Sequence, residues 1–492
     1  MKFYQDKNFL INRALPIVLF IGAVYFPVFL HLGGDVLGMW DESLYALRAF
    51  YMAYHNEFLE NFNQVDANWN HPNTKPPLIT LIQAGFFRVF GYSVLSLRLP
   101  VAIIVFLMLL FLVYFSNRQF KKPGIGYFAA LVLVTSPGFI HRHIARTGDH
   151  DAVLAFWMLL VFVYFYKLIT EPENQHKYTW LVAIFLAGSV LTKSVAGLFP
   201  ILAMLLFALY KRKLKTLLIS RHTWGAIGLF LVLVGSFYVY REWKSPGFLQ
   251  TVWQEDVGGR YAGENHGHNY PWYFYLQLLY NPDFIPWLFF IPFSIVILFT
   301  KVAKKFREFS LYLLFSIFSI LSIISVSGTK CEWYHAGIFP LMAVIVAIGI
   351  NWLYEVVLQY IKGENQIFRL VVTGCFIILI FGIPYIRIID KIRFPEKAWI
   401  EEQYGEYMKN VDPKLEYSVA PGNRNMCLMF YTEVANKIKG KKIQLKSRSE
   451  DFHVGELVMC SKYTTWAEKK YSFRTANEFK DLKLIEITGM KK

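Results

Sequence analysis

Apolar segments close to twenty residues long recur along this chain, at about 14–32, 97–115, 124–140, 151–169, 179–191, 194–210, 224–240, 282–300, 309–327, 335–357 and 369–388. A helix rises about 1.5 Å per residue, so roughly 20 apolar residues cross a hydrocarbon layer about 30 Å thick. Only helices and closed barrels satisfy their own backbone hydrogen bonds in that layer. The segments therefore predict a polytopic α-helical membrane protein with about eleven transmembrane helices. The 55% hydrophobic and 18% aromatic content, far from that of an average soluble domain, agrees. The first segment is long, lacks a small-residue cleavage site and is followed by further spans. It reads as an anchor rather than a removed signal, with the mature chain beginning near Met1.

Short loops rich in lysine and arginine stay on the cytoplasmic side. The most basic ones are "NRQFKKPG", "KRKLKTLLISRH" and "KVAKKFRE". All three fall inside if the N-terminus is cytoplasmic, which makes the protein a multi-pass inner (plasma) membrane protein. Eleven crossings then place the C-terminal stretch outside, periplasmic or extracellular. The loops "GMWDESLYALR", "HRHIARTGDHD", "LTKS", 241–280 and "SGTKCEWYH" face outward as well, so the acids, histidines and tryptophans of a hydrophobic chain gather at one membrane surface.

Basic inside loops account for much of the formal charge of +16, which by itself argues nothing about nucleic acid. No phosphate-cradling glycine loop, paired CxxC or basic helix interleaved with aromatics occurs, so nucleotide and nucleic-acid partners are not expected. Two units are predicted, a membrane domain over 1–390 with active-site loops 33–96 and 241–280, and a soluble extracytoplasmic α/β domain over 391–492. The second carries β-like runs "EYSVA", "CLMFYTE", "ELVMCS" and "LKLIEI". An oxidising compartment leaves a Cys427–Cys460 disulfide open. Within 33–96, "DESLYALRAFYMAY" has the spacing of an amphipathic helix lying along the interface.

Asp41 and Glu42 stand just beyond the first span. Carboxylates near hydrocarbon are costly and usually face a cavity, although negative charge is also favoured at a helix start. The same surface carries "HPNTKPPL", "LRLP", "HIARTGDHD", "LTKS", "RYAGENHGHNYPWYFY" and "SGTKCEWYHAGIFP". In the first of these, Pro76 and Pro77 stiffen the turn into the membrane and hold Lys75 at the interface. There it either meets an anion or snorkels.

Taken in order, Asp-Glu after span one, Lys-Pro-Pro, Arg-x-Pro, Arg-Thr-Gly-Asp-x-Asp and Thr-Lys-x-x-x-Tyr resemble the family 39 glycosyltransferases. These include protein O-mannosyltransferases and bacterial lipid A aminoarabinose transferases. The resemblance runs along essentially the whole chain and implies a C-type glycosyltransferase fold. It also implies an inverting glycosyltransferase that moves a sugar from a polyprenyl-phosphate donor to a glycolipid or protein acceptor at the outer face of the bilayer. On that reading Asp41 is the critical carboxylate, general base for a hydroxyl acceptor or a substrate-orienting group for a phosphate acceptor, and Asp151 matches the second acidic motif as a catalytic residue that positions Asp41 or the acceptor. Glu42, Arg98, Arg146, Asp149, Lys193, His266 and His268 are substrate contacts. The chemistry of a polyprenyl phosphate makes Lys75, Arg260 and Lys330 candidates to share the charge of the leaving phosphate, with Tyr334 as a hydrogen-bond donor. Thr74 departs from the glutamate that bacterial relatives often carry before Lys-Pro-Pro.

Glu264, His266 and His268 in "GENHGHNY" are close enough in sequence to be metal ligands, but no second half of a site accompanies them, so no cofactor is required and a divalent metal is unsupported. Many helices with cationic cavity residues also suit a transporter or flippase of polyprenyl-linked sugars. Transporters tend to show related halves and mid-membrane sites, whereas the polar residues here collect at one face. The sequence names neither the sugar nor the acceptor.

Overall fold

A computed structural model describes residues 15–38, 41–56, 73–141, 143–263, 268–301, 304, 306–361, 366–395, 398–410, 412, 414–422 and 426–491. Among them, seven helices are long and apolar enough to cross a membrane: Val94–Phe120, Asp151–Thr170, Pro172–Leu198, Arg221–Lys244, Arg307–Val326, Tyr334–Tyr360 and Ile367–Arg393. A bent pair, Phe274–Asp283 and Trp287–Leu298, turned through 114°, makes eight if read as one broken span. The expected segments 14–32, 124–140 and 194–210 hold shorter helices, Ile17–Phe29, Pro123–Val134 and Pro200–Tyr210. The sequence explains the shortening. The hydroxyls of Thr135 and Ser136 bond back to the carbonyls of Leu131 and Val132, each at 2.6 Å, just ahead of Pro137. Pro123–Val134 is packed on nearly every side, between Val94–Phe120 and Phe339–Tyr360.

Two ion pairs tie together one end of the bundle. Lys122 meets Glu355 at 2.6 Å, and Lys211 meets Glu308 at 3.0 Å. In Arg307–Val326 and Phe339–Tyr360, Glu308 and Glu355 stand at the ends away from the 327–334 turn, so these pairs lie at the end opposite Arg260.

The Asp41–His55 helix does not lie free at an interface. Eleven of its fifteen residues are buried. It is held between Leu78–Phe90 and a C-terminal helix, Met426–Lys437, with the Phe50 ring 5.0 Å from Tyr92 and 6.3 Å from Phe430. Aromatic residues on its polar-looking face found partners in a domain distant in sequence, which a helical-periodicity argument does not register.

Five strands form the C-terminal sheet: β1 (Glu416–Val419), β2 (Lys442–Leu445), β3 (Leu457–Ser461), β4 (Tyr471–Phe479) and β5 (Leu482–Met490), in the order β2-β1-β3-β5-β4. β1 runs parallel to β2 and β3, while β5 pairs antiparallel with β3 and β4. Three expected strands are β1, β3 and β5, but "CLMFYTE" is helical. Met426, Cys427, Phe430, Tyr431, Val434 and Ala435 are buried at the i, i+4 spacing of a helix stripe. Edge strand β4 escapes sequence reading because most of its residues are exposed. Cys427 and Cys460 are separate buried thiols, so the disulfide does not form. The domain is joined to the helical core by Lys409, whose ammonium donates to the carbonyls of Gly33 and Gly34 at 2.7 and 2.8 Å. A shared apolar cluster containing Leu47, Phe87, Tyr407 and Leu428 completes the junction.

Candidate active site

The turn at 73–77 is shaped by its own residues. The Lys75 amide donates to Asn73 Oδ1 at 3.2 Å, and Pro77 begins the Leu78–Phe90 helix. The Lys75 side chain is thereby directed into a cavity whose lining includes Asp151, Lys193, Asp256, Arg260 and Tyr334. Leu154, Val195, Ala196 and Phe199 form its apolar side. Chain segments far apart in sequence thus bring three cations and two carboxylates into one partly apolar chamber.

One oxygen of Asp256 accepts two hydrogen bonds and faces a guanidinium at ion-pair distance. Lys75 Nζ lies at 2.7 Å from Oδ1, the Thr74 hydroxyl at 3.3 Å and Arg260 Nε at 3.7 Å. Burial opposes the Asp256 charge, but Lys75 and Arg260 hold its carboxyl below the usual carboxylate range. Burial lowers Lys75, Arg260 lowers it further, and despite the pull of Asp256 it titrates at about 8. Asp256 was not among the residues expected from sequence. Its signal was the acid four residues ahead of Arg260 in "WQEDVGGRY". It also brings a carboxylate to Thr74, where the sequence itself has none.

Trp253–Ala262, which carries both residues, is wound as a π-helix, a wide coil common at functional sites. Its end is clamped by 327–330. The amides of Gly328 and Thr329 donate to the carbonyls of Tyr261 and Arg260, both at 3.0 Å, and Ser327 adds a bond to Arg260 at 2.8 Å. A β-carbon on Gly328 would run into the Gly263 carbonyl. The Lys330 ammonium donates to the Ser327 carbonyl at 2.6 Å and is absent from the cavity lining, so this cation ties its own loop rather than facing the chamber.

At the other side of the chamber, Lys193 donates to both oxygens of Asp151, at 2.5 and 2.6 Å. Its ammonium also lies 5.4 Å from the centre of the Tyr334 ring. Arg260 Nη1 donates to the Tyr334 hydroxyl at 3.3 Å. Behind Tyr334, His335 and Asp283 meet at 3.2 Å in full burial, fastening this turn to the bent span.

Other expected contacts are hydrogen-bonded to neighbouring parts of the fold. Glu42 accepts from Arg98 through both oxygens, at 2.6 and 2.8 Å, and from the amides of Gly38 and Gly148, at 2.8 and 2.7 Å. Its carboxylate is saturated. Arg146 donates to the carbonyls of Pro27, Val28 and Leu30, closing the end of the first helix, where a cation is favoured. Asp149 is buried and 3.3 Å from His143 Nδ1. Burial works against the His143 cation, but Asp149 raises it to about 9, and the ring leans on Trp333 at 4.5 Å.

Asp41 heads its helix and is half-buried. Its charge is felt at His143 and Asp149 on one side and at Arg260 on the other. His143, with Glu42, Arg98, His141, Glu402 and Glu406, borders a second, more polar cavity of about 470 Å³ between the helical core and the C-terminal domain. His141, His143 and Thr147 border the second cavity and Asp151 the first, so 143–151 runs between the two, while Asp41 lines neither and is followed in its helix by Glu42, which borders the second.

Glu264 and His266 lie outside the described residues. The backbone carbonyl of His268 accepts from the Lys330 amide at 3.0 Å. Among the described residues no three His, Cys, Asp or Glu side chains are grouped to hold a metal ion.

Residues 74–240 match the family model described as dolichyl-phosphate-mannose-protein mannosyltransferase. Among curated relatives, an uncharacterized protein of Aquifex aeolicus is 28% identical over 69% of this chain and 64% of its own length. An undecaprenyl phosphate-alpha-4-amino-4-deoxy-L-arabinose arabinosyl transferase of Pseudomonas savastanoi is 27% identical over 54% of this chain and 48% of its own. The chain thus spans about half to two thirds of the length of these relatives. In three dimensions it is similar to ArnT from Cupriavidus metallidurans bound to undecaprenyl phosphate, with a TM-score of 0.72, 14% identity, and 96% and 98% of the two chains covered. The archaeal oligosaccharyltransferase AglB from Archaeoglobus fulgidus, in complex with an inhibitory peptide and a dolichol-phosphate, has a TM-score of 0.57 at 14% identity, covering 93% of this chain and 72% of AglB. The fold of the chain is that of ArnT.

Proposed function

We propose that this chain, whose residues 74–240 match the dolichyl-phosphate-mannose-protein mannosyltransferase family model, transfers a sugar from a polyprenyl-phosphate donor to an acceptor hydroxyl with inversion. The observation that carries this reading is the meeting of Lys75, Lys193 and Arg260 in a chamber with an apolar side. An isoprenoid phosphate has the same two-part chemistry, a charged head on an apolar tail. The family match favours transfer over transport.

In the proposed reaction the acceptor oxygen attacks the anomeric carbon while the bond from that carbon to the phosphate oxygen breaks. The electron pair of that bond goes to the phosphate, whose growing charge Lys75 and Arg260 neutralise in a water-poor site. The acceptor proton goes to Asp41, which precedes Glu42 of the second cavity's border in its helix. The polar second cavity is the proposed approach of the acceptor. Asp151 cannot easily serve as base while Lys193 holds both its oxygens, so its proposed role is to position Lys193 beneath Tyr334.

Sidedness follows the same logic. Counting Ile17–Phe29, Pro123–Val134, Pro200–Tyr210 and the broken span as transits, and reading Leu78–Phe90 as a helix that stays on the cavity side, gives eleven passages, with the basic loops cytoplasmic and both cavities outside. The C-terminal domain lies on the cavity side, as its contacts with Gly33, Gly34 and the Asp41–His55 helix support. Purified protein supplied with polyprenyl-phosphate sugars should release polyprenyl phosphate in the presence of membrane extract as acceptor source. The Lys75→Ala variant should not, and equal release by that variant would remove the cation site from the proposal.

A further inference from the structure

We propose that Asp256 is a built-in counter-anion that occupies the phosphate subsite between turnovers and competes with polyprenyl phosphate for Lys75 and Arg260. This rests on the reading of the chamber as a donor site. The geometry is that of an anion receptor already filled. An ammonium, a guanidinium and a hydroxyl converge on the single oxygen Asp256 Oδ1, at 2.7, 3.7 and 3.3 Å. Donors arranged in this way around one oxygen are what a phosphate oxygen requires. A phosphate oxygen that takes the place of Asp256 Oδ1 among these donors displaces the carboxylate. The carboxylate is carried on a π-helix with Gly258 and Gly259 directly behind it, a segment able to rewind locally.

The exchange matters because the charge of the ligand changes during transfer. The donor is a phosphodiester with one negative charge. Once the bond to the anomeric carbon breaks, the lipid keeps the electron pair and becomes a monoester, carrying about −1.5 to −2 near pH 7 as phosphate monoesters do. A bare cluster of cations would hold this product more tightly than the donor and stall the enzyme. Asp256 returning to Lys75 and Arg260 offsets that preference and assists release of the lipid phosphate. With Asp256 in place the chamber sets two carboxylates against three cations, so the resting site is close to neutral and a doubly charged product is not held by bare cations.

Equilibrium binding of polyprenyl monophosphate to the full-length, detergent-solubilised protein near pH 7 tests this directly. Asp256→Asn keeps the shape of the side chain and removes the competing charge, so the lipid should bind about tenfold more tightly than to wild type. Lys75→Ala should bind about tenfold more weakly. Unchanged or weaker binding by Asp256→Asn, with Lys75→Ala weakened, would overturn the counter-anion and leave the donor site standing. Wild-type affinity in Lys75→Ala would overturn both. A measurement on wild type alone covers the case in which Asp256→Asn does not fold: polyprenyl monophosphate should inhibit transfer with a Ki no lower than the donor KM. A Ki tenfold below KM would contradict the exchange.

Discussion

Both oxygens of Asp151 are held by the ammonium of Lys193, at 2.5 and 2.6 Å, in a nearly water-free setting. Removing one partner of such a pair leaves an uncompensated buried charge, which costs about 3–5 kcal/mol, more than the pair itself contributes. Asp151→Asn should therefore unfold at a markedly lower temperature in detergent. The double variant Asp151→Asn with Lys193→Met should recover most of the loss while remaining inactive, because the chamber then lacks a cation. Wild-type melting of the single variant would show that Lys193 finds another counter-charge.

Neighbouring carboxylates should give opposite phenotypes. Asp41→Asn removes the proposed base, and transfer should fall by roughly 10²–10⁴-fold with polyprenyl-phosphate binding and melting temperature preserved. Glu42→Gln breaks the saturated junction with Arg98, Gly38 and Gly148, so its main effect should be lost stability. Turnover and thermal unfolding on the same preparations separate the two. Normal turnover by Asp41→Asn would assign it a helix-start role.

Lipid-phosphate binding should have an alkaline limb. Burial and Arg260 bring Lys75 down to about 8 in the free protein, and a bound anion favours the ammonium, raising its pKa in the complex. Affinity is then fully present below about pH 8 and is lost as pH rises through the higher value of the complex. Below about pH 6 a phosphate monoester loses charge, so affinity should fall there too. Equilibrium binding from pH 5 to 10 reads both limbs. Lys75→Arg keeps its charge throughout and should lack the alkaline one.

Gly328→Ala tests the clamp on the π-helix. The added carbon meets the Gly263 carbonyl and displaces the loop that holds the Arg260 backbone. A shift of about 1 Å in a catalytic group costs on the order of 10²-fold in rate, so kcat should drop by about that factor with helical content unchanged. An unaffected kcat would mean that Arg260 is held by its side-chain contacts alone.

Sequence reasoning reached what depends on local pattern and missed what depends on distant pairing. Apolar runs located the spans, and loop composition selected Lys75, Lys193, Arg260 and Tyr334, which the fold brings together. Glu42, Arg98, Arg146 and Lys330 have the same loop composition, yet their hydrogen bonds go to the framework. A charged residue's partner is set by tertiary structure, so composition alone could not separate the two groups. Asp256 was overlooked for the converse reason, since its importance lies in contact with Lys75, 181 positions away. The helix at Met426–Lys437 looked strand-like because its aromatic and sulfur-bearing residues suit either element, and burial on one helical stripe decided the outcome.

The most direct test of the central claim follows the donor lipid itself. Polyprenyl-phosphate sugar, labelled in both sugar and lipid, is supplied to wild-type and Asp41→Asn protein reconstituted in liposomes with membrane extract as acceptor source. The account predicts that wild type separates the two labels, giving free polyprenyl phosphate and a labelled acceptor, and that Asp41→Asn binds the lipid without separating them. Movement of the doubly labelled lipid across the bilayer, with both labels still joined in wild type, would contradict it and assign the protein to transport.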